Sequence, residues 1–180
     1  MRVSLATASL TTALLAAGCG EPLSPVAPSA EALGSAAATA WSHNGTLEIP
    51  FKGKLEGSVT VTPLQPPTAN VQIEATGNAT HLGRFSLVVP HEVNFATRTG
   101  TGTYTFTAAN GDQLFASFTG QALTFPPMVS VVENATITGG TGRFAGATGS
   151  FIARRLFDQA AGWTTGTVEG TISSPGASNH

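Results

Sequence analysis

The sequence predicts an all-β domain: an eight-stranded antiparallel up-and-down barrel that follows a signal peptide and a flexible tether. Three observations predict it. Only 10% of the 180 residues are charged, and no long Ala/Leu/Glu/Lys periodic run occurs after residue 40. From Thr46 onward, short stretches alternate apolar and polar residues, the pattern of strands with one buried face. Glycine, proline and asparagine, the residues of turns, separate those stretches.

Residues 1–18 read as a secretory signal. Arg2 precedes an uncharged stretch from Val3 to Ala17, followed by small residues, and the stretch is too short for a transmembrane helix. Residues 19–45 are rich in Ala, Ser and Pro and lack apolar periodicity, as a tether does. The barrel domain is expected over 46–174, and 175–180 as a disordered tail.

The first strand is the clearest. Phe51, Gly53, Leu55, Gly57, Val59 and Val61 face one way, and Lys52, Lys54, Glu56, Ser58, Thr60 and Thr62 the other. Prolines 63, 66 and 67 end it. Val71, Ile73 and Ala75 mark a second strand, and His81 to Val89 a third. In the fourth, threonines from Thr101 to Thr107 alternate with Tyr104 and Phe106. Asn110-Gly111 is a type I′ hairpin signal leading into a fifth strand over Gln113 to Thr124. Val129 to Thr138 make the sixth, Gly142 to Phe157 the seventh, and Trp163 to Ser173 the eighth. Short connections and antiparallel neighbours suit a closed barrel without free edges.

The glycine-rich stretch from Ile137 to Phe151, ITGGTGRFAGATGSF, organises the rest. Gly139-Gly140 suits a tight turn, and the later glycines suit the bends of a coiled barrel strand. A phosphate loop is the competing idea, but no helix-forming run follows to offer its N-terminus to an anion.

Two resemblances add to this reading. The run Leu15-Ala16-Ala17-Gly18-Cys19 resembles the lipobox of bacterial lipoproteins, which implies that Cys19 becomes a lipidated first residue. Ordinary cleavage near Ala17–Gly18, leaving a free thiol, competes with it. Three segments, GNATHLGRFS (77–86), FTAANGDQLFASFTG (106–120) and ITGGTGRFAGATGSF (137–151), are together similar to a group of uncharacterised secreted bacterial proteins. GGTGRFAGATG also resembles the glycine-rich strand of the allene oxide cyclase and dirigent barrels. That likeness implies a calycin-like barrel, often oligomeric. The catalytic residues of those families have no counterpart here and do not carry over.

Candidate chemistry is sparse. Net charge is −2 and no basic cluster exceeds Arg154–Arg155, so a nucleic-acid footprint is absent. One cysteine allows no intrachain disulfide or cysteine metal site, and no HxH or HExxH pair occurs. No metal or other cofactor is therefore expected. No GxSxG elbow is present, and no catalytic residue is assigned. Four side chains are candidates for ligand binding. His81 could bind a ligand or act as a base, against the plainer role of bonding backbone at a turn. Arg84 and Arg143 each sit in a Gly-Arg-Phe and could grip a carboxylate; otherwise they lie outside the barrel or pair with an acid such as Glu74, Asp112 or Glu133. Glu133 shares a face with Val129, Val131, Ala135 and Ile137, so an inward face would bury it. His43, His91 and His180 fall in tether, loop and tail. The Asn-x-Thr sites at Asn44, Asn78 and Asn134 are read as chance in a threonine-rich chain.

The expected function is that of a lipoprotein anchored through its lipid on the extracytoplasmic side of a bacterial membrane, whose barrel binds a small apolar ligand or a protein partner. The alternative is a cyclase or isomerase that folds an apolar substrate in the barrel. An open lumen holding Glu133 or an arginine favours the enzyme; a filled lumen leaves surface interaction.

Overall fold

The structure, a computed structural model, describes residues 42–43 and 46–173. The signal, Cys19, most of the tether, His180 and the tail lie outside the described residues. The strands are β1 (Ser42–His43), β2 (Thr46–Pro63), β3 (Thr68–Ala79), β4 (Gly83–Asn94), β5 (Thr99–Ala108), β6 (Gln113–Ala122), β7 (Met128–Gly140), β8 (Gly149–Asp158) and β9 (Trp163–Ser173). Each pairs antiparallel with the next, and β9 returns to β2. Strands β2 to β9 thus close an eight-stranded barrel, as the alternation predicts. The short β1 pairs only with the start of β2. β2 pairs with β9 over 48–58 and with β3 over 53–63. That stagger is the strand tilt that closure requires.

The connections alternate between two ends. Those after β3, β5 and β7 lie at one end, beside the start of β2. Those after β2, β4, β6 and β8 lie at the other. The first end is closed by packing. Phe51, Phe85, Tyr104, Phe106, Phe144 and Phe151 are buried with Leu82, Leu114 and Ile172. Phe106 meets Phe51, Phe85 and Phe151 at ring-centroid distances of 6.1, 5.2 and 5.9 Å, edge to face in each case. Such pairs add to their area burial.

Several expectations need correction. The third strand starts later and runs longer than His81–Val89. Pro90 lies inside β4 with its side chain outward, and it interrupts only the β4–β5 ladder, between the pairs Val88–Thr105 and His91–Gly102. A missing N–H removes ladder bonds to one neighbour without ending the strand. His91 is therefore a strand residue facing inward, not a loop residue. Gly139-Gly140 is not a turn. β7 continues through Gly140, with a bulge where Phe115 pairs with Gly139 and Ala116 with Ile137. The seventh strand begins at Gly149 rather than Gly142. Residues Gly142–Phe144 form a 3₁₀ turn, and Gly142 and Gly146, at φ 55° and 70°, turn the chain out of the extended path. The turn drops Phe144 into the closed end. Asn110-Gly111 does turn the chain, but only Gly111 has positive φ, whereas type I′ needs two such residues. The Gly111 N–H donates to the Ala108 carbonyl (2.9 Å), with the glycine as the last residue of the turn.

Candidate functional site

The other end is open, and the inward side chains say why. Toward the closed end, β5 and β6 present Tyr104, Phe106, Leu114 and Phe118 to the interior. Toward the open end, the same inward phase reads Gly100, Gly102, Gly120 and Ala122. Across from them stand short branched side chains: Val59, Val61, Val71, Val93, Val129 and Val131. A ring of valine and glycine cannot fill what a ring of aromatics fills. The result is a cup of about 390 Å³ that opens at the mouth. Phe95, Phe125 and Arg98 stand at its rim, where the Arg98 guanidinium lies 5.0 Å from the centroid of the Phe125 ring.

The floor of the cup is polar. Glu133 (1% exposed) and Arg155 (6% exposed) form a buried ion pair. Arg155 Nη2 donates to Glu133 Oε1, and Arg155 Nε donates to Oε2 at 3.1 Å. The Tyr104 hydroxyl also donates to Oε2. Arg155 Nη1 donates to Thr164 Oγ1 (3.4 Å), whose own hydroxyl donates to the Leu156 carbonyl (2.9 Å). Charged groups leave water only when such partners replace it. Burial, and then the nearby Glu133 charge, push the Tyr104 phenol well above its ordinary range, so it stays a donor. Burial pulls the Arg155 guanidinium down, but the Glu133 charge and hydrogen bonds outweigh it and leave the pKa raised.

His91 lines the same cup. Its ring packs edge-on against Phe118 at 5.6 Å, and Nδ1 lies 3.1 Å from the Val89 carbonyl. Burial chiefly lowers its pKa from the ordinary 6.5; the Val89 bond opposes this, Arg155 lowers it further and Glu133 raises it.

Of the four sequence candidates, only Glu133 is in this site. His81 is exposed in the β3–β4 turn at φ 66°, with Nε2 3.1 Å from the Pro50 carbonyl. Arg84 is exposed on the outer wall, beside a wide, shallow depression that also takes in Lys54 and Glu56. Arg143 is exposed at the closed end. Its Nε is 3.6 Å from Asp112 Oδ2, Nη2 donates to the Leu82 carbonyl (3.2 Å), and its guanidinium lies 4.9 Å from the centroid of the Phe144 ring. The two arginines are not brought together. Arg155, Tyr104, His91 and Thr164 belong to the site and were not among the candidates. Strand phase could have found Arg155, because Phe151 and Ala153 face inward four and two residues before it.

Among the described residues, no group of three or more His, Cys, Asp or Glu side chains could hold a metal ion, and no helix is long and apolar enough to cross a membrane. No family model matches the chain, and no curated protein matches it significantly.

Proposed function

We propose that the barrel binds a small, largely apolar molecule in the cup at its open end, and that the chain is held at a bacterial membrane through lipid on Cys19. The cup carries the first part. Its volume falls near the lower end of the roughly 300–1,000 Å³ of small-ligand sites, with mostly apolar walls and a few convergent polar groups.

The cyclase or isomerase alternative uses the same space, and an open cup holding Glu133 and Arg155 is the arrangement expected of it. It is less well supported because three of the four acceptor sites of Glu133 already take hydrogen bonds from Arg155 and Tyr104, and its charge is matched by Arg155.

Filling the cup tests the binding reading. A Cβ on Gly100 would meet nothing closer than 3.4 Å, and its φ is not in the left-handed region. Gly100→Leu should therefore fold while projecting into the cavity. Native mass spectrometry of the wild type should show a retained small molecule, and Gly100→Leu should lose it. A bare wild-type mass, together with unchanged uptake of apolar probes by Gly100→Leu, defeats the reading. Labelling cells with a fatty-acid probe tests the anchor separately: wild type should take the label and Cys19→Ser should not.

A further inference from the structure

We propose that His91 selects the ligand: the cup takes a neutral apolar molecule bearing one hydroxyl or N–H group, which donates a hydrogen bond to His91 Nε2. The proposal rests on the binding reading above and names the chemical class of the ligand.

The tautomer follows from the neighbours. A carbonyl oxygen can only accept, so the contact with Val89 places the ring proton on Nδ1. In the neutral ring Nε2 is then a bare acceptor. Among the described residues no donor reaches it, yet no buried side-chain nitrogen or oxygen is left without a partner. Nε2 must therefore open onto accessible space. The ring direction identifies that space. His91 Cδ2, the carbon bonded to Nε2, is 3.7 Å from the point where a Gly100 Cβ would stand. The Cδ2 corner of the ring thus borders the gap that Gly100 leaves in the cup, with Nε2 the next atom of the ring. Burial lowers the tendency of the ring to protonate, which keeps the acceptor available near neutral pH.

The remaining groups set the ligand's charge. Glu133 and Arg155 face the cup as a neutralised pair, and Tyr104 spends its proton on Glu133. At the floor an anionic head would meet a bare acceptor and a matched ion pair, and would forfeit its water there; Arg98, the other cation lining the cup, stands at the rim against Phe125. A neutral donor loses only one exchangeable hydrogen bond and regains it at Nε2.

Three probes of one shape separate the outcomes: 2-naphthol, 2-methylnaphthalene and 2-naphthoate, titrated calorimetrically into the full chain at neutral pH. We expect 2-naphthol to bind roughly three- to tenfold tighter than 2-methylnaphthalene, the worth of one net hydrogen bond, and 2-naphthoate to bind weakest. In His91→Leu the preference for 2-naphthol should vanish while 2-methylnaphthalene keeps its affinity. A second readout needs no variant. The ¹⁵N resonance of the unprotonated His91 Nε2 in wild type should move with 2-naphthol and stay in place with 2-methylnaphthalene. Equal binding of these two probes, or a preference that survives in His91→Leu, overturns the proposal and leaves the apolar cup standing. Tightest binding by 2-naphthoate overturns it in favour of an anion site. No binding by any probe removes the cup reading and the proposal with it.

Discussion

A carboxylate out of water is costly unless other donors replace the water, and around Glu133 Arg155 and Tyr104 do so. Removing one charge strands the other. We expect Glu133→Gln or Arg155→Met to cost about 3–5 kcal/mol each, the usual effect of breaking a buried pair. The double variant should lose clearly less than the two single losses added together, because it strands nothing. Urea unfolding of all four proteins checks this, and strictly additive losses would refute it. His91 adds a pH dependence whose sign is fixed by the direction of its shift. Its folded-state pKa lies below the ordinary 6.5, so below that value the unfolded chain binds more protons. The charged groups that line the cup with His91 are Glu133 and Arg155, with Arg98 at the rim; the two that perturb it besides burial and Val89 are Arg155 and Glu133. Stability should be flat above 6.5 and should fall as pH drops from there through the lowered folded value. Melting curves of wild type and His91→Leu from about pH 7.5 to 5.5 test it, since the variant lacks this slope. Equal slopes would assign the effect to other groups.

The element that departs furthest from its sequence pattern is the β7–β8 connection. Arg143, Ala145 and Ala147 alternate with Phe144 and Gly146 as a strand would, but the backbone there turns. Period-two alternation reports which side chains could share a face; it does not report φ. Gly142 shows the cost of that ambiguity: its φ is 55°, and a Cβ there would collide with the Asp112 carboxylate. Asp112 in turn holds Arg143. A valine at 142 meets both the collision and the strain of a branched residue in the left-handed region, about 1–3 kcal/mol for the backbone alone. Gly142→Val should lower the melting temperature by about 5–15 °C, whereas His81→Ala gives up one exposed contact and should move it little. Near-equal melting of the two variants would mean the turn does not hold the closed end. Most of the strands were legible because their inner phase is apolar without a break. Glu133 was legible for the same reason, as the one acid in phase with Val131 and Ala135. His91 was hidden by Pro90, which reads as a strand end although only one ladder is interrupted. Arg155 was hidden by Arg154, since a basic pair reads as solvent-facing unless strand phase is carried through it. The Glu133–Arg155 contact joins residues 22 apart, and only the β7–β8 register brings them together.

Closure through β2 and β9 gives every long strand two neighbours, so no sheet edge is exposed to start unravelling. Backbone pairing is therefore alike at the two ends of the barrel, but side-chain packing is not. At the closed end Phe51, Phe106, Phe144, Leu114 and Ile172 are fully buried. At the open end Phe95, Phe125 and Leu123 are more than half exposed and the space between the valines is a cavity. Local opening costs what the opened segment had buried. Amide hydrogen exchange should therefore be graded along the barrel axis rather than around it. The Val61, Val93 and Val131 amides, on three different strands, should exchange at least about tenfold faster than those of Phe106, Leu114 and Phe151, on three others. The contrast holds within single strands as well. Val131 and Ile137 lie on the same strand and the same inner face, and Val131 should exchange first. A protection map that varied by strand and not by height would mean that pairing alone governs the opening. The cup would then be as rigid as the packed end. Faster exchange confined to the valine ring would instead identify the cup as the part of the barrel that yields.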